Sequence, residues 1–379
     1  MIEERERRTI ASIIFITNSL SYGGAQKMLC FLANQLEQRD YSVSVLNLLD
    51  NVEDAGRLNK NIQVTDICTS NIRYLDRVQQ LNKIIRKIKS LHPDVIISFT
   101  FRPNYLATIA GKILNIPVII SERCDPSQEY DLKGRARIYW NIINQAEGGV
   151  FQTEGAMRLY SQRMQQRGAV IPNPVVLEES IIHQVKTNQT PRSIVSVGRL
   201  SNRQKRYDIM LKAFSIFENK HKGYTLILYG SGEDEENIRK WITDLGLDHS
   251  VFLLGKTDHP LKKMDEADVF LMTSDYEGIS NSLLEAMAIG MPAIVTDCSP
   301  GGARLLIRDR ENGLIVPCGD VERIAHALEE LTGDPHLMAK CGSNARKVLM
   351  DYHPDAITER WIQYIHHVMD VVAKRRFHN

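Results

Sequence analysis

Short apolar runs recur along this chain, and each is followed by a longer stretch whose apolar positions fall three and four apart. Seven runs in the first half read as strands: Ser12–Thr17, Ser42–Leu48, Val64–Ile67, Val95–Phe99, Val118–Ser121, Gly149–Gln152 and Ala169–Ile171. Between them the helical period predicts helices near 24–39, 74–91, 103–115, 133–147 and 154–166. The second half repeats the alternation, with strands at Ile194–Val197, Thr225–Tyr229, Val251–Leu254, Val269–Met272, Ala293–Thr296 and Gly313–Val316. Strands spaced by whole helices cannot pair as hairpins. They predict parallel sheets built from βαβ units.

Pro172, Pro174 and the polar stretch 183–192 separate the two series, which divides the chain into domains near 1–175 and 190–354. Two doubly wound domains are expected to present ligand crevices at their strand C-termini, facing each other across a central cleft. At 379 residues, 43% apolar and 25% charged, the chain has material for two ordinary cores. The net charge of +1 argues against a nucleic-acid partner. The charge is uneven, however: residues 1–170 carry 22 Lys and Arg against 17 Asp and Glu, and the remainder carries 25 against 29. An anionic partner for the first half follows. Cys30, Cys68, Cys124, Cys298, Cys318 and Cys341 form no C-x-x-C pair, so neither a zinc site nor a disulfide framework is expected, and a reducing cytoplasm fits. No run reaches the length of a membrane span, which limits any membrane contact to a peripheral one.

The helix predicted over 74–91 carries Leu75, Val78, Leu81, Ile84, Ile85 and Ile88 on one stripe, with Arg77, Lys83, Arg86, Lys87 and Lys89 over much of the rest. A core-packed helix with a solvated basic face explains that pattern. So does a surface drawn to anionic headgroups, with Lys374, Arg375 and Arg376 assisting.

Four segments carry candidate chemistry. In Tyr276–Glu285 two acids, Glu277 and Glu285, flank the start of a helix for which Ser280, Asn281 and Ser282 are possible caps; Glu285 is expected about two turns in. Free helix-start amides attract an anion, and carboxylates on either side take hydroxyls or developing positive charge. A phosphate with sugars at both ends fits this arrangement; so does a plain capped surface helix with two solvated acids. Gly198 and Arg199 end a strand and lead to Lys205, so two cations are expected to reach the crevice and neutralise a diphosphate. Arg203 and Arg206 compete for that role. Gly23 and Gly24 open a helix after the first strand, where backbone amides approach a phosphate closely. Finally, Gly230 and Gly232 lack the third glycine of a dinucleotide fingerprint, although their turn has room for a nucleotide.

Together the Gly23-Gly24-Ala25 turn, Gly198-Arg199 with Lys205, and the E-x7-E pair Glu277/Glu285 resemble family 4 glycosyltransferases of the GT-B fold. Ile171-Pro-Asn173-Pro and Asn312-Gly-Leu-Ile-Val-Pro317 extend the resemblance, in the family's order, over nearly the whole chain. It implies a GT-B architecture of two Rossmann-like domains, the last helix, about 355–377, completing the first. It implies transfer of a sugar from a nucleotide donor with retention, needing no metal and no other cofactor. By position, Glu277, Arg199 and Lys205 become catalytic, Glu277 lying at the donor sugar. Glu285 takes the ribose hydroxyls; Gly23, Gly24, Gly198, Gly278, Ile279, Ser280 and Asn281 complete the donor phosphate cradle. Main chain from Leu254 to Lys256 meets the nucleobase, and Arg102 and Arg123 lie on the acceptor side. Three departures stand out. Lys205 comes one residue late after Gly-Arg, the triplet Ser121-Glu122-Arg123 has Arg where many relatives have His, and Leu305 occupies a place where Glu is common. Arginine stays protonated, so no proton step runs through position 123.

The expected function is a cytoplasmic glycosyltransferase, peripheral at the inner face of the membrane. Its expected donor is a nucleotide sugar, UDP-linked first, and its acceptor a lipid-linked or growing surface glycan. The rival classes are a non-hydrolysing UDP-sugar 2-epimerase, told apart by products formed without acceptor, and a catalytically silent sugar-nucleotide binder.

Overall fold

A computed structural model describes residues 11–20, 23–49, 57–67, 74–130, 132–177, 192–257 and 259–377. Cys68, the N-terminal charge run and positions 183–191 of the polar stretch lie outside these residues, as does the side chain of Arg77. The chain forms two compact units, Met1–Pro172 with Asp355–Asn379, and Asn173–Pro354.

In the first unit the strands are β1 (Ser12–Thr17), β2 (Ser42–Asn47), β3 (Gln63–Asp66), β4 (Val95–Phe99), β5 (Val118–Glu122), β6 (Gly148–Phe151) and β7 (Gly168–Val170). They form one parallel sheet in the order β3-β2-β1-β4-β5-β6-β7. Helices cover both faces, which is why β4 and β5 each open on three consecutive apolar residues and are buried at every residue, Ser98, Ser121 and Glu122 included. One face packs Met28, Leu32 and Leu36 of the helix Gly24–Glu37 together with Trp361 and Ile365 of the last helix, Pro354–Phe377. Trp361 is fully buried and stacks on Phe99 with ring centroids 6.3 Å apart. The other face packs Ile84 and Ile88 of the helix Tyr74–Leu91 with Tyr105 and Leu106 of Phe101–Leu114 and Ile143 of Arg135–Ile143.

The second unit has β8 (Ser193–Val197), β9 (Thr225–Tyr229), β10 (Val251–Leu253), β11 (Val269–Met272), β12 (Ala293–Thr296) and β13 (Leu314–Val316). Their order is β10-β9-β8-β11-β12-β13, again wholly parallel. In both sheets the winding reverses once, between β1 and β4 and between β8 and β11. At those points the loops after neighbouring strands diverge to opposite faces and leave room for a ligand.

Two helix expectations change. The helix expected over 154–166 is two short ones, Glu154–Arg158 and Gln162–Gln165, because Ser161 caps a new start by accepting from the Met164 amide. The helix expected over 133–147 runs only from Arg135 to Ile143. Asn144 ends it by turning its side chain onto the Trp140 carbonyl and the Ser161 amide.

Candidate active site

Parallel pairing of β8 with β11 places the segments after Val197 and Met272 side by side at the reversal point of the second sheet. Gly198 stays in the ladder, its amide donating to the Tyr229 carbonyl at 3.0 Å. The turn after β9 lies flat on this segment. A Cβ on Gly230 would stand 1.8 Å from the Gly198 carbonyl oxygen, and one on Gly232 would stand 2.4 Å from that of Leu200. These glycines therefore serve backbone-to-backbone packing and fix the path of Gly198–Leu200. The Gly230 amide donates to the Gly255 carbonyl at 2.8 Å, which brings Leu254–Lys256 to the same strand edge. Leu254 (54% exposed) and Lys256 stand open there.

Arg199 emerges exposed from this segment, and its guanidinium donates to Oε1 of Gln204 at 3.1 Å. The short helix Asn202–Lys205 follows and turns Lys205 inward, where Nζ pairs with Oε1 of Glu277. Only 14% of the Lys205 side chain and 12% of the Glu277 side chain are exposed, which makes this an interior ion pair and not a surface one. Ser274 adds a hydroxyl to the same Glu277 oxygen at 3.3 Å. An ammonium has three protons to donate, so Lys205 can hold Glu277 and a phosphate oxygen together. Of the competing cations, Arg203 is exposed, and Arg206 is taken up by Asp208 at 3.0 Å and Asp275 at 2.7 Å. These two carboxylates, Asp208 first, hold the Arg206 guanidinium above its already high range.

Glu277 sits in a loop stapled from outside: its amide donates to the Ser299 carbonyl at 2.7 Å. Four residues on, the chain enters the helix Asn281–Ile289, capped by the Ser280 hydroxyl, which accepts from the Leu283 amide at 3.4 Å. Of the three candidate caps, Ser280 is the one used. Asn281 accepts from the Asn173 side chain at 2.6 Å, tying the helix start to the segment that enters this unit. Glu285 is the fifth residue of that helix and is buried, so it lies about one turn in and not two. Gly278, Ile279 and Ser280 are buried, and the positive end of the helix begins directly after them, four residues from Glu277.

In the first unit Gly23 and Gly24 are exposed at the start of Gly24–Glu37, just past β1. Arg102 donates to the buried Gln80 at 2.6 Å, and Gln80 in turn holds the carbonyls of Leu48 and Ile67. Arg123 donates from Nε to the Ser121 hydroxyl at 2.7 Å and lies across Phe99 and Trp361, 5.2 and 5.4 Å from their ring centroids. Burial lowers its pKa to about 9, so it is still charged at neutral pH. Neighbouring Glu122 is buried and accepts from the Tyr160 hydroxyl at 2.8 Å, the Tyr130 hydroxyl at 3.1 Å and the Arg123 amide at 2.9 Å. Burial raises the Glu122 pKa against those stabilising bonds. Gln204, Ser274, Asp275 and the Glu122 cluster were not legible in the sequence, since each is an ordinary polar residue that gains its place only from contacts the fold creates, such as Gln204 with Tyr276, Asp275 with Arg206 and Glu122 with Tyr160.

Residues 22–179 match the family model described as Glycosyltransferase Family 4, and residues 178–348 match that of Glycosyl transferases group 1. The structure of Anabaena HepE in complex with UDP and glucose superposes with a TM-score of 0.80 at 19% identity, covering 94% of this chain and all of that one. The chain is a GT-B-fold glycosyltransferase related to both families. An uncharacterized glycosyltransferase of Haemophilus influenzae is 24% identical to it over 352 residues, spanning 92% of this chain and 97% of its own. An alpha-1,4-N-acetyl-D-galactosaminyltransferase of Campylobacter jejuni, named for a diNAcBac-PP-undecaprenol-linked acceptor, is 26% identical over 361 residues, 93% of this chain and 98% of its own. In this glycosyltransferase, Arg199, Lys205, Glu277 and Gly278–Asn281 share one strand edge of the second unit, while Gly23, Gly24, Arg102 and Arg123 belong to the first.

Proposed function

We propose that this glycosyltransferase moves a sugar from a UDP-sugar to a lipid-linked or growing surface-glycan acceptor, with retention of anomeric configuration. The observation that carries the reading is the interior Lys205–Glu277 pair with Arg199 on the adjoining strand end. Two cations on one edge suit the two charges of a leaving diphosphate, and the helix start beside them adds a favourable field. In the transfer, the bond from the sugar C1 to the phosphate oxygen breaks and its electron pair stays on that oxygen. The acceptor hydroxyl bonds C1 from the same face, and its proton passes to the departing oxygen. Glu277 lies at the donor sugar, Glu285 takes the ribose hydroxyls, and Leu254–Lys256 meets the base. Gly23 and Gly24 contribute amides to the phosphate. Arg102 and Arg123 act on the acceptor side by shaping the strand edge of the first unit.

HepE has been solved with UDP and with UDP-glucose, which supports a UDP-linked donor here. The lipid-linked acceptor named for the Campylobacter relative supports the acceptor class. Among the described residues no helix is long and apolar enough to cross a membrane. We place the enzyme at the inner membrane face through the helix Tyr74–Leu91, which buries Gln80, Ile84 and Ile88 and exposes Lys83, Arg86 and Lys89.

The test is a panel of UDP- and GDP-sugars read by thermal stabilisation and turnover, followed by NMR of the product anomer. Stabilisation by a UDP-sugar and a product that keeps the donor's configuration are expected. An inverted product would remove the retaining assignment. Epimerised sugar nucleotide formed without acceptor would favour the epimerase class.

A further inference from the structure

We infer that Gln204 is a positioning residue that holds Arg199 in place for the donor diphosphate while leaving its charge undiminished. The inference rests on the donor-site reading above and extends it to a residue that touches no substrate.

Gln204 is a buried neutral residue at the crossing of three segments. Its Oε1 accepts from the Arg199 guanidinium at 3.1 Å, and its Nε2 donates to the Tyr276 carbonyl at 3.2 Å. Its own carbonyl accepts from the Asp275 amide at 2.9 Å. The segment bearing Arg199, the turn bearing Lys205 and the loop bearing Glu277 are thus tied through one side chain and its backbone. The direction of the amide follows from chemistry. A carbonyl only accepts and a guanidinium only donates, so Nε2 must face Tyr276 and Oε1 must face Arg199. Either group swapped would meet its own kind.

The residue type also follows. An exposed arginine samples many rotamers, and fixing it before the ligand arrives lowers the ordering cost of binding. A carboxylate at 204 would fix it equally well but would neutralise the cation and set an anion against the Tyr276 carbonyl. A hydroxyl would be too short to span both partners. Glutamine supplies an acceptor of sufficient reach without charge, with a donor left for the second loop.

The experiment is calorimetric titration with UDP, and with GDP and ADP in parallel, on the native protein, Arg199→Ala, Gln204→Met and the double variant. Each single change is expected to weaken nucleoside diphosphate binding about tenfold, the scale of one hydrogen bond to a charged group. The double variant is expected to bind about as weakly as Arg199→Ala alone, because Gln204 acts through Arg199. Losses that multiply in the double variant would make Gln204 an independent structural contributor and overturn the inference. So would native binding by Gln204→Met. If Arg199→Ala itself binds like the native protein, or the native protein binds no nucleoside diphosphate, the donor-site reading falls and takes this inference with it. If Arg199→Ala weakens binding and Gln204→Met does not, only the inference falls.

Gln204→Glu provides a second readout that does not need the methionine variant to fold. Measured as a ratio to native protein at each pH, its UDP affinity should be low at neutral pH and recover as pH falls to about 4 and the carboxyl protonates. A protonated acid again presents an oxygen to Arg199 and a donor to Tyr276. A ratio independent of pH would overturn the assignment.

Discussion

Gly302 lies so close to Gly278 that a Cβ on residue 302 would stand 1.6 Å from the Gly278 carbonyl oxygen. The loop after β12 therefore presses, backbone on backbone, against the loop that carries Glu277, and the Ser299 carbonyl accepts the Glu277 amide in the same contact. Gly302→Ala should push the two loops apart, costing about 1–3 kcal/mol as overpacking does, and should lower turnover by displacing Glu277. Gly333→Ala is the control, because an added Cβ there meets nothing within 4 Å. Equal melting midpoints and equal rates for the two variants would show that the contact does not hold Glu277.

Removal of one preorganised electrostatic partner typically lowers turnover by about two orders of magnitude. Arg199→Ala and Glu277→Gln should each show a loss of that size in steady-state assays with whichever donor the panel identifies. Glu285→Ala should instead raise the Kd for the nucleotide and leave turnover at saturation closer to native. Near-normal turnover by Arg199→Ala would remove the diphosphate assignment.

Burial raises the folded-state pKa of Glu122. A carboxyl with a raised folded pKa contributes stability below its unfolded pKa, and that contribution is lost as pH rises through the folded value. Gln at this position keeps an acceptor for the Arg123 amide and a partner for Tyr160 without the charge. Glu122→Gln should therefore match the native protein in acid and gain on it in melting midpoint as pH rises above the ordinary carboxylate range. A midpoint difference that stays constant from acid to neutral pH would argue that Glu122 titrates as an unburied acid does.

Lys83, Arg86 and Lys89 face outward on the helix Tyr74–Leu91, with Lys87 half-buried beside them. Changing all four to Ser should reduce sedimentation with anionic vesicles and leave the fold intact, since Ile84 and Ile88 supply the packing. Native binding should weaken as salt screens the attraction. Vesicle binding unaffected by the four changes would leave the basic face merely solvated.

Arg123 is braced by Ser121 and by the faces of Phe99 and Trp361. Arg123→Ala should lower stability by about 1–3 kcal/mol, through a lost cation–π contact and a lost hydrogen bond. Arg123→Lys keeps the charge and should recover part of that loss. A rate loss with an unchanged melting midpoint would instead mark direct contact with an acceptor.

The alternation of apolar runs with helical periods determined, by itself, that this chain folds as two parallel α/β units, because each run must be buried on both faces and each helix must cover one. Strand ends followed, and with them the positions of Gly198, Arg199, Glu277 and Gly278 just past buried strands. Where local side-chain chemistry outweighed periodicity, as at Ser161 and Asn144, the helix pattern misled. Tertiary structure alone decided which cation meets which acid. Lys205, Arg203 and Arg206 are equivalent by composition, yet the turn Asn202–Lys205 aims Lys205 at Glu277 while Arg206 closes on Asp208 and Asp275. Gln204 and Glu122 gained their roles in the same way, from partners 72 and 38 residues distant. Periodicity is a property of neighbours in sequence and survives in any reading of it. Hydrogen-bond partners across a sheet are set by strand order and register, which no local pattern encodes.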